Sequence, residues 1–251
     1  MTQSETFYQQ KAKTELARWQ RDMQRDPTLL DKMSKKVQTK INSIIPEKVH
    51  EAITTAIKQM TRAVLFGAEL TSGKPAKMES LELTEAVIAE KIETYKKTAA
   101  AEGGITGAGG ILLAFADFPL LIGIKMKMLF DIAAKYGFDT SDYKERVYLL
   151  HIFQLAFSSH QHRKNVYLQM RNWKDHAAQL PSDINQFDWR NFQQEYRDYI
   201  DLAKMAQLIP VIGAAVGLVI NYRLLKKLGK TAMNAYRMRL FEEKTLVVMD
   251  N

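Results

Sequence analysis

The sequence predicts an all-α chain folded as a single multi-helix bundle. Three observations carry that expectation. Apolar residues recur every three or four positions through most of the 251 residues, which is the signature of helices with one buried face. Glycine and proline number only 12 and 6, below average usage. No stretch alternates apolar and polar residues with the two-residue period of a strand. A chain this long buries about 73% of its unfolded surface on folding, enough for a core without covalent staples. Hydrophobic residues at 46% and charged residues at 25% argue against global disorder.

The elements follow in order. Tyr8, Ala12, Leu16, Trp19 and Met23 form the stripe of a first helix, which Pro27 ends. Leu30, Met33, Val37, Ile41 and Ile44 form a second stripe. Pro46 suits the first turn of a third helix, where its missing N–H costs nothing; Val49, Ile53, Ala56, Ile57, Met60 and Val64 line that helix. The run Thr71-Ser72-Gly73-Lys74-Pro75 is a turn signal. Leu83, Val87, Ile88, Ile92 and Tyr95 mark a fourth helix. A further helix runs from Lys125 to Lys135 and ends at Gly137, a C-cap residue. Thr140, Ser141 and Asp142 offer N-caps for the next. From Val147 to Phe157 that helix is apolar nearly all round, which predicts a central position. Residues 158–185 are polar and uneven and read as a long connection. Phe187 to Leu208 reads as an aromatic-rich helix, broken at Pro210.

Two glycine-rich apolar segments stand out, GGITGAGGILLAFADFPLLIGI at 103–124 and LIPVIGAAVGLVI at 208–220. Gly103 and Gly107 are four apart, as are Gly213 and Gly217, a spacing that bares backbone on one helix face for close approach. Asp117 and Pro119 interrupt the first segment, and the second has 13 residues, about 20 Å of helix against a hydrocarbon core of about 30 Å. Neither reads as a full span. They are expected to pack as a helical hairpin, with Gly103, Gly107, Gly110, Pro119, Gly123, Pro210, Gly213 and Gly217 as its packing or membrane-contacting residues.

The formal net charge is +8, and it is uneven. Between Asn221 and Arg239 lie Arg223, Lys226, Lys227, Lys230, Arg237 and Arg239, with no acidic residue. A basic segment directly after an apolar run suits an anionic membrane surface. Tyr222, Leu224, Leu225, Leu228 and Met233 supply its apolar side. The alternative is a solvated helix face.

Motifs for chemistry are broken or missing. Cysteine is absent, which excludes disulfides, Cys-ligated zinc or iron–sulfur centres and a thiol nucleophile. The glycine run lacks the Gly-Lys-Ser/Thr ending of a phosphate loop, and Leu112 stands at the third glycine of a dinucleotide fingerprint. His50-Glu51-Ala52-Ile53-Thr54 has Thr54 where a zinc peptidase needs its second histidine. His160-x-His162 with His176 is a weak metal pattern, and no Gly-x-Ser-x-Gly elbow exists. No metal or cofactor is expected. Asp117, just before a helix with Pro119 in its first turn, fits a helix cap. A buried polar cluster of Asp117, His151, Gln154 and Asn221 is the other reading, with an Asp117–Asn221 or Asp117–His151 hydrogen bond, since buried polar groups are paired. Catalysis by Asp117 and His151 would require both side chains in one pocket.

GGITGAGG, then ADFP, then a helix ending KYGFD, and later IPVIGAAVGLVIN, together resemble the EcsC family of bacterial proteins. The two blocks cover about 103–139 and 208–222. Positions of the family pattern are met at Gly107, Gly110, Asp117, Pro119, Gly137, Pro210, Gly213, Gly217 and Asn221. The resemblance implies one helical domain over 1–251, with N-terminal helices in 1–100 and a family core in 103–157 and 187–239. It also implies a founding member encoded beside an ABC-type transporter. The expected function is non-enzymatic: a helical protein on the inner face of the cytoplasmic membrane, bound to anionic lipid and accessory to a transport or secretion system, with a membrane transporter as a possible partner. The first 16 residues are polar, so no secretory signal is expected there, and no nucleic-acid partner is expected. The alternative is a soluble helical carrier of a lipid or other apolar ligand.

Overall fold

The computed structural model describes residues 3–26, 47–66, 74–107, 118–158, 160–192, 194 and 214–249. Among them the regular structure is helical and no strand occurs. In chain order the helices are α1 (Gln3–Gln24), α2 (Glu47–Phe66), α3 (Leu81–Gly107), α4 (Phe118–Lys135), α5 (Tyr143–Phe157), α6 (His160–Arg171), α7 (Trp173–Gln179) and α8 (Ala214–Met249), with a 3-10 turn at Ile184–Gln186. The helix read at Leu30–Ile44, residues 108–117 and most of 193–213 lie outside the described residues.

Helix α5 is the central rod. Every side chain from Tyr143 to Phe157 is buried except Lys144, as its nearly all-round apolar sequence requires. Asp142 caps its start by accepting from the Lys144 amide at 2.9 Å. Helix α4 ends at Gly137, whose φ is +87°. There the Phe138 amide donates to the Ala133 carbonyl and the Gly137 amide to Ala134, the two bonds of a Schellman ending. The Ala76 amide also donates to the Ala134 carbonyl, at 2.8 Å, and so ties the segment before α3 to the end of α4.

Helices α3 and α8 form the most extensive pair, and they run antiparallel. Glu85 meets Arg237, Ile92 meets Gly229, and Lys96 meets Tyr222. The buried face of α3 carries Leu81, Glu85, Ile88, Ile92, Lys96 and Ala99, a strict three-and-four spacing. Gly229 sets the closest approach. A Cβ there would sit 2.7 Å from Ile92 Cδ1 and 3.0 Å from both Cγ atoms.

Three expectations change. The polar stretch 158–185 is not a plain connection; it holds α6 and α7, because Val166, Tyr167, Met170 and Trp173 are spaced to bury one face of an otherwise polar surface. The first glycine-rich segment is shared between two helices, since α3 continues through Gly103 and Gly104 to Gly107 and α4 starts at Phe118. Of the second apolar run, residues 214–220 do not stand apart from the basic segment: both belong to α8, 36 residues long and so about 54 Å from end to end, while 208–213 lie outside the described residues.

Gly229→Ala adds about 1 kcal/mol of helix propensity but overpacks the α3 interface, which costs about 1–3 kcal/mol. The expected result is a lower urea midpoint for Gly229→Ala, partly restored by Ile92→Val, which removes the Cδ1 atom in closest contact. Additive losses in the double variant would sink the close-approach role of Gly229.

Candidate functional site

Helix α8 has two faces. Leu225, Leu228, Ala232 and Tyr236 are fully buried. Opposite them Tyr222, Arg223, Lys226, Lys227 and Lys230 are exposed. A groove of about 420 Å³ lies between α1, α3 and α8, and Lys226 and Lys230 form one wall of it. The other four-residue period of α8 thus places cations on solvent while the apolar period holds the core.

Arg237 and Arg239 do not belong to that exposed face, a correction to the six-residue basic surface. Arg237 is buried, and its Nε and Nη2 donate to Glu85 Oε1 and Oε2 at 2.7 and 2.5 Å. Its Nη1 donates to Glu15 Oε2 at 2.8 Å. Glu85 also accepts from the Tyr136 and Tyr8 hydroxyls at 2.8 and 2.7 Å. One carboxylate on α3 therefore ties together α1, α8 and the end of α4. Arg239 donates to Glu145 Oε2 at 2.7 Å and lies over the Phe138 ring at 3.9 Å. Glu145 accepts from the Tyr236 hydroxyl at 2.9 Å; burial pushes its carboxyl up, and Arg239 opposes the shift. The physical reason is shared. These arginines face acids carried on the core sides of α3 and α5, which offset the desolvation of their charge.

A second buried arginine meets carbonyls instead. Arg146 donates through Nε and Nη2 to the Leu65 carbonyl at 3.2 and 3.0 Å, and through Nη1 to Thr140 and Ser141. It thereby satisfies the C-terminal end of α2, whose last carbonyls have no partner within the helix.

The proposed polar quartet is divided. Asn221 is buried and its Oδ1 accepts from Lys125 Nζ at 3.3 Å. Lys125 is fully buried, donates also to the Leu121 carbonyl at 3.1 Å, and meets no carboxylate among the described residues. Burial pushes its amine down from 10.5 to about 7. Among the described residues the Asn221 Nδ2 has no hydrogen-bond partner. His151 pairs instead with Gln154, Nδ1 to Oε1 at 3.2 Å, within an aromatic nest of Trp173, His176 and Phe192. Burial, then the adjacent His176, pushes His151 down to about 4. Asp117 lies outside the described residues, immediately before α4.

Of the small and turn residues, Gly103 and Gly107 are in the last turns of α3, Pro119 is in the first turn of α4 and Gly217 is in the first turn of α8. Gly110, Pro210 and Gly213 lie outside the described residues. Gly123 is exposed, and a Cβ there would meet nothing within 4 Å, so close helix approach does not require it. No group of three or more His, Asp or Glu side chains among the described residues could hold a metal ion.

Lys96, Glu85 and Gly229 escaped the sequence reading. The signal was present for the first two: both interrupt the apolar stripe of α3 at positions where a core residue is due.

The EcsC protein family matches this sequence over residues 10–241. The chain belongs to the EcsC family. It is 45% identical over 230 residues to Protein EcsC of Bacillus subtilis (strain 168), covering 91% of this chain and 94% of that protein. It is 27% identical over 257 residues to the uncharacterized protein YdbA of the same organism, covering 92% of each. No solved structure matches.

Two outcomes follow from the buried charges of this EcsC-family bundle. Glu85→Gln leaves Arg237 uncompensated in the core and is expected to cost about 3–5 kcal/mol, whereas Glu15→Gln at the half-exposed end of the same guanidinium costs under about 1 kcal/mol. Urea unfolding compares them; equal losses would contradict the assignment of Glu85 as the main partner. For Lys125, the unfolded chain titrates near 10.5 and the folded chain near 7. Between those values the unfolded state holds the extra proton, so stability rises with pH. Lys125→Met is expected to flatten that rise, read as unfolding midpoints from pH 7 to pH 10.5; an unchanged slope would show that the amine is not held near 7.

Proposed function

We propose that this EcsC-family protein docks on the anionic face of the cytoplasmic membrane through α8, as an accessory to a membrane transport or secretion system. The observation that supports it is the continuity of α8. Its first turns, 214–220, are apolar, and the next turns present Arg223, Lys226, Lys227 and Lys230 to solvent. No helix among the described residues is long and apolar enough to cross a membrane, so the contact proposed is with one surface. At about 1 kcal/mol per cation near an anionic leaflet, four cations contribute about 4 kcal/mol, roughly a thousand-fold preference. The antiparallel register of α3 and α8, continued past Lys96 and Tyr222, sets 103–107 alongside 214–217. The link to transport rests on the genomic association implied by the family resemblance alone.

A second reading, a carrier for an apolar ligand, has one observation in its favour. A groove of about 230 Å³ lies between α2 and α4, walled by Met60, Val64, Ile122, Met126 and Phe130. It is smaller than the roughly 300–1,000 Å³ of ordinary ligand sites, which favours the surface reading. His151 meets Gln154 through Nδ1, and its buried Nε2 has no hydrogen-bond partner among the described residues.

Vesicle flotation tests the proposal. The protein is expected to float with vesicles containing phosphatidylglycerol and to stay down with neutral ones. Raising salt to about 1 M, where the Debye length is about 3 Å, should release it. Replacing Arg223, Lys226, Lys227 and Lys230 together by Gln should abolish flotation while leaving the unfolding midpoint unchanged, because all four are exposed. Equal flotation on neutral vesicles, or none on either, would overturn docking through α8.

A further inference from the structure

Three helices project past one level of the bundle, and the chain changes character there. Two contacts mark that level. Lys96 Nζ lies 4.0 Å from the centre of the Tyr222 ring, and Lys125 Nζ donates to Asn221 Oδ1 at 3.3 Å. Helix α4 is antiparallel to α3, because the Tyr95 hydroxyl donates to Asp131 and the Tyr136 hydroxyl to Glu85. It is therefore parallel to α8. From the level of the two contacts α3 continues eleven residues to Gly107, α4 begins seven residues before Lys125, and α8 begins seven before Asn221. All three project the same way by about 10 Å or more.

The projecting turns are nearly free of charge. Residues 118–124 and 214–220 have none, and 98–107 has only Glu102. Leu120 is 50% exposed there. The opposite end differs: Lys77 and Glu79 before α3, and Asp139 and Asp142 between α4 and α5, are all exposed. Directly behind the uncharged turns are exposed cations on two helices, Lys97 on α3 and Arg223 and Lys226 on α8. Glu93 lies among them. Its hydrogen bond from Lys96, with Lys97 and Lys226 nearby, holds its carboxyl below the usual value, so one acid faces three cations.

We propose that this end of the bundle enters an anionic bilayer end-on, with Leu120 at the start of the acyl layer and Lys97, Arg223 and Lys226 behind it at the phosphates. The inference rests on the docking proposed above for its partner and adds the direction of approach and the part that inserts. Charge selects lipid over a second copy of this chain. Two copies meeting end to end would oppose the same cations, and like charges brought together are penalised, whereas an anionic leaflet attracts them. The depth is limited. Helix ends have backbone groups without partners inside the helix, and hydrocarbon supplies none. The end therefore stops about 5–10 Å into the boundary of headgroups and acyl chains, and the cations remain necessary for binding.

The chain has no cysteine, so Leu120→Cys and Leu83→Cys each give a single site for an environment-sensitive fluorophore. Leu83 is 61% exposed near the start of α3, at the opposite end. On vesicles containing phosphatidylglycerol, the label at 120 is expected to shift to the blue. It should be quenched by lipids with a nitroxide high on the acyl chain more than by lipids with one near the methyl end. The label at 83 should not respond. Leu120→Ser should lower vesicle affinity about 3- to 5-fold with little change in the urea midpoint. Flotation with the label at 120 unmoved, with equal shifts at 120 and 83, or with Leu120→Ser binding as the wild type does, would overturn end-on insertion and leave docking through α8 intact. A label at 120 that shifts with protein concentration in the absence of vesicles would assign this end to a second copy and overturn the lipid reading of it. No flotation at all would overturn both.

Discussion

The bundle depends on one buried ion pair. Glu85 is fully desolvated and its two oxygens receive the forked guanidinium of Arg237 together with two tyrosine hydroxyls. A buried pair of this kind is weak evidence for net stability, since an apolar pair of similar shape often does as well. Its consequence for register is stronger. A slip of α8 by one turn along α3 would leave a carboxylate and a guanidinium unpaired in the core, and each would lose several kcal/mol. The same slip would drive a side chain into Ile92 in place of Gly229. Charge and sterics therefore specify the same alignment, and the position of every exposed cation on α8 follows from it.

Lys125 shows the other limit. It is as buried as Glu85 but meets only a backbone carbonyl and the Asn221 amide, so nothing of opposite charge offsets its desolvation and the amine titrates near neutrality. Arg146 escapes that outcome in part because its fork spreads over three carbonyls, each carrying the partial negative charge of a chain end or turn. Three buried cations thus meet three kinds of acceptor, and the difference between them lies in their partners rather than in their depth.

Much of the fold was legible in the sequence because helices announce themselves by period. The stripes of α1 and α2, the cap at Asp142, the glycine ending at Gly137 and the central place of α5 all follow from local residues; the stripe expected for α3 is right at Ile88 and Ile92 but wrong at Leu83 and Val87, which are exposed because Glu85 and Lys96 take the core face. Helices α6 and α7 were not read, because a polar helix with a narrow apolar seam at Val166, Tyr167, Met170 and Trp173 looks like a connection until the surface it covers is known. The site was legible only in part. Six basic residues in 221–239 share one local pattern, and only the partner helices separate Arg237 and Arg239 from the rest. Those partners can be found in the sequence as anomalies: Glu85 and Lys96 occupy core positions in an otherwise apolar stripe, and a charge there requires a countercharge elsewhere. What no local pattern could give is which of the many distant basic residues would supply it.

Helix α8 divides its cations by that rule, and the division bears on function. Arg237 and Arg239 have acids waiting on the core sides of α3 and α5, so their charge is spent inside the bundle. Lys226 and Lys230 meet no acid on the core side and are exposed, so their charge is directed outward. Asn234 lies between the two sets, one helical turn beyond Lys230, with its amide nitrogen bound to the helix and its oxygen buried without a donor among the described residues. The helix that fixes the register of the fold thus also carries the cations that the core does not use.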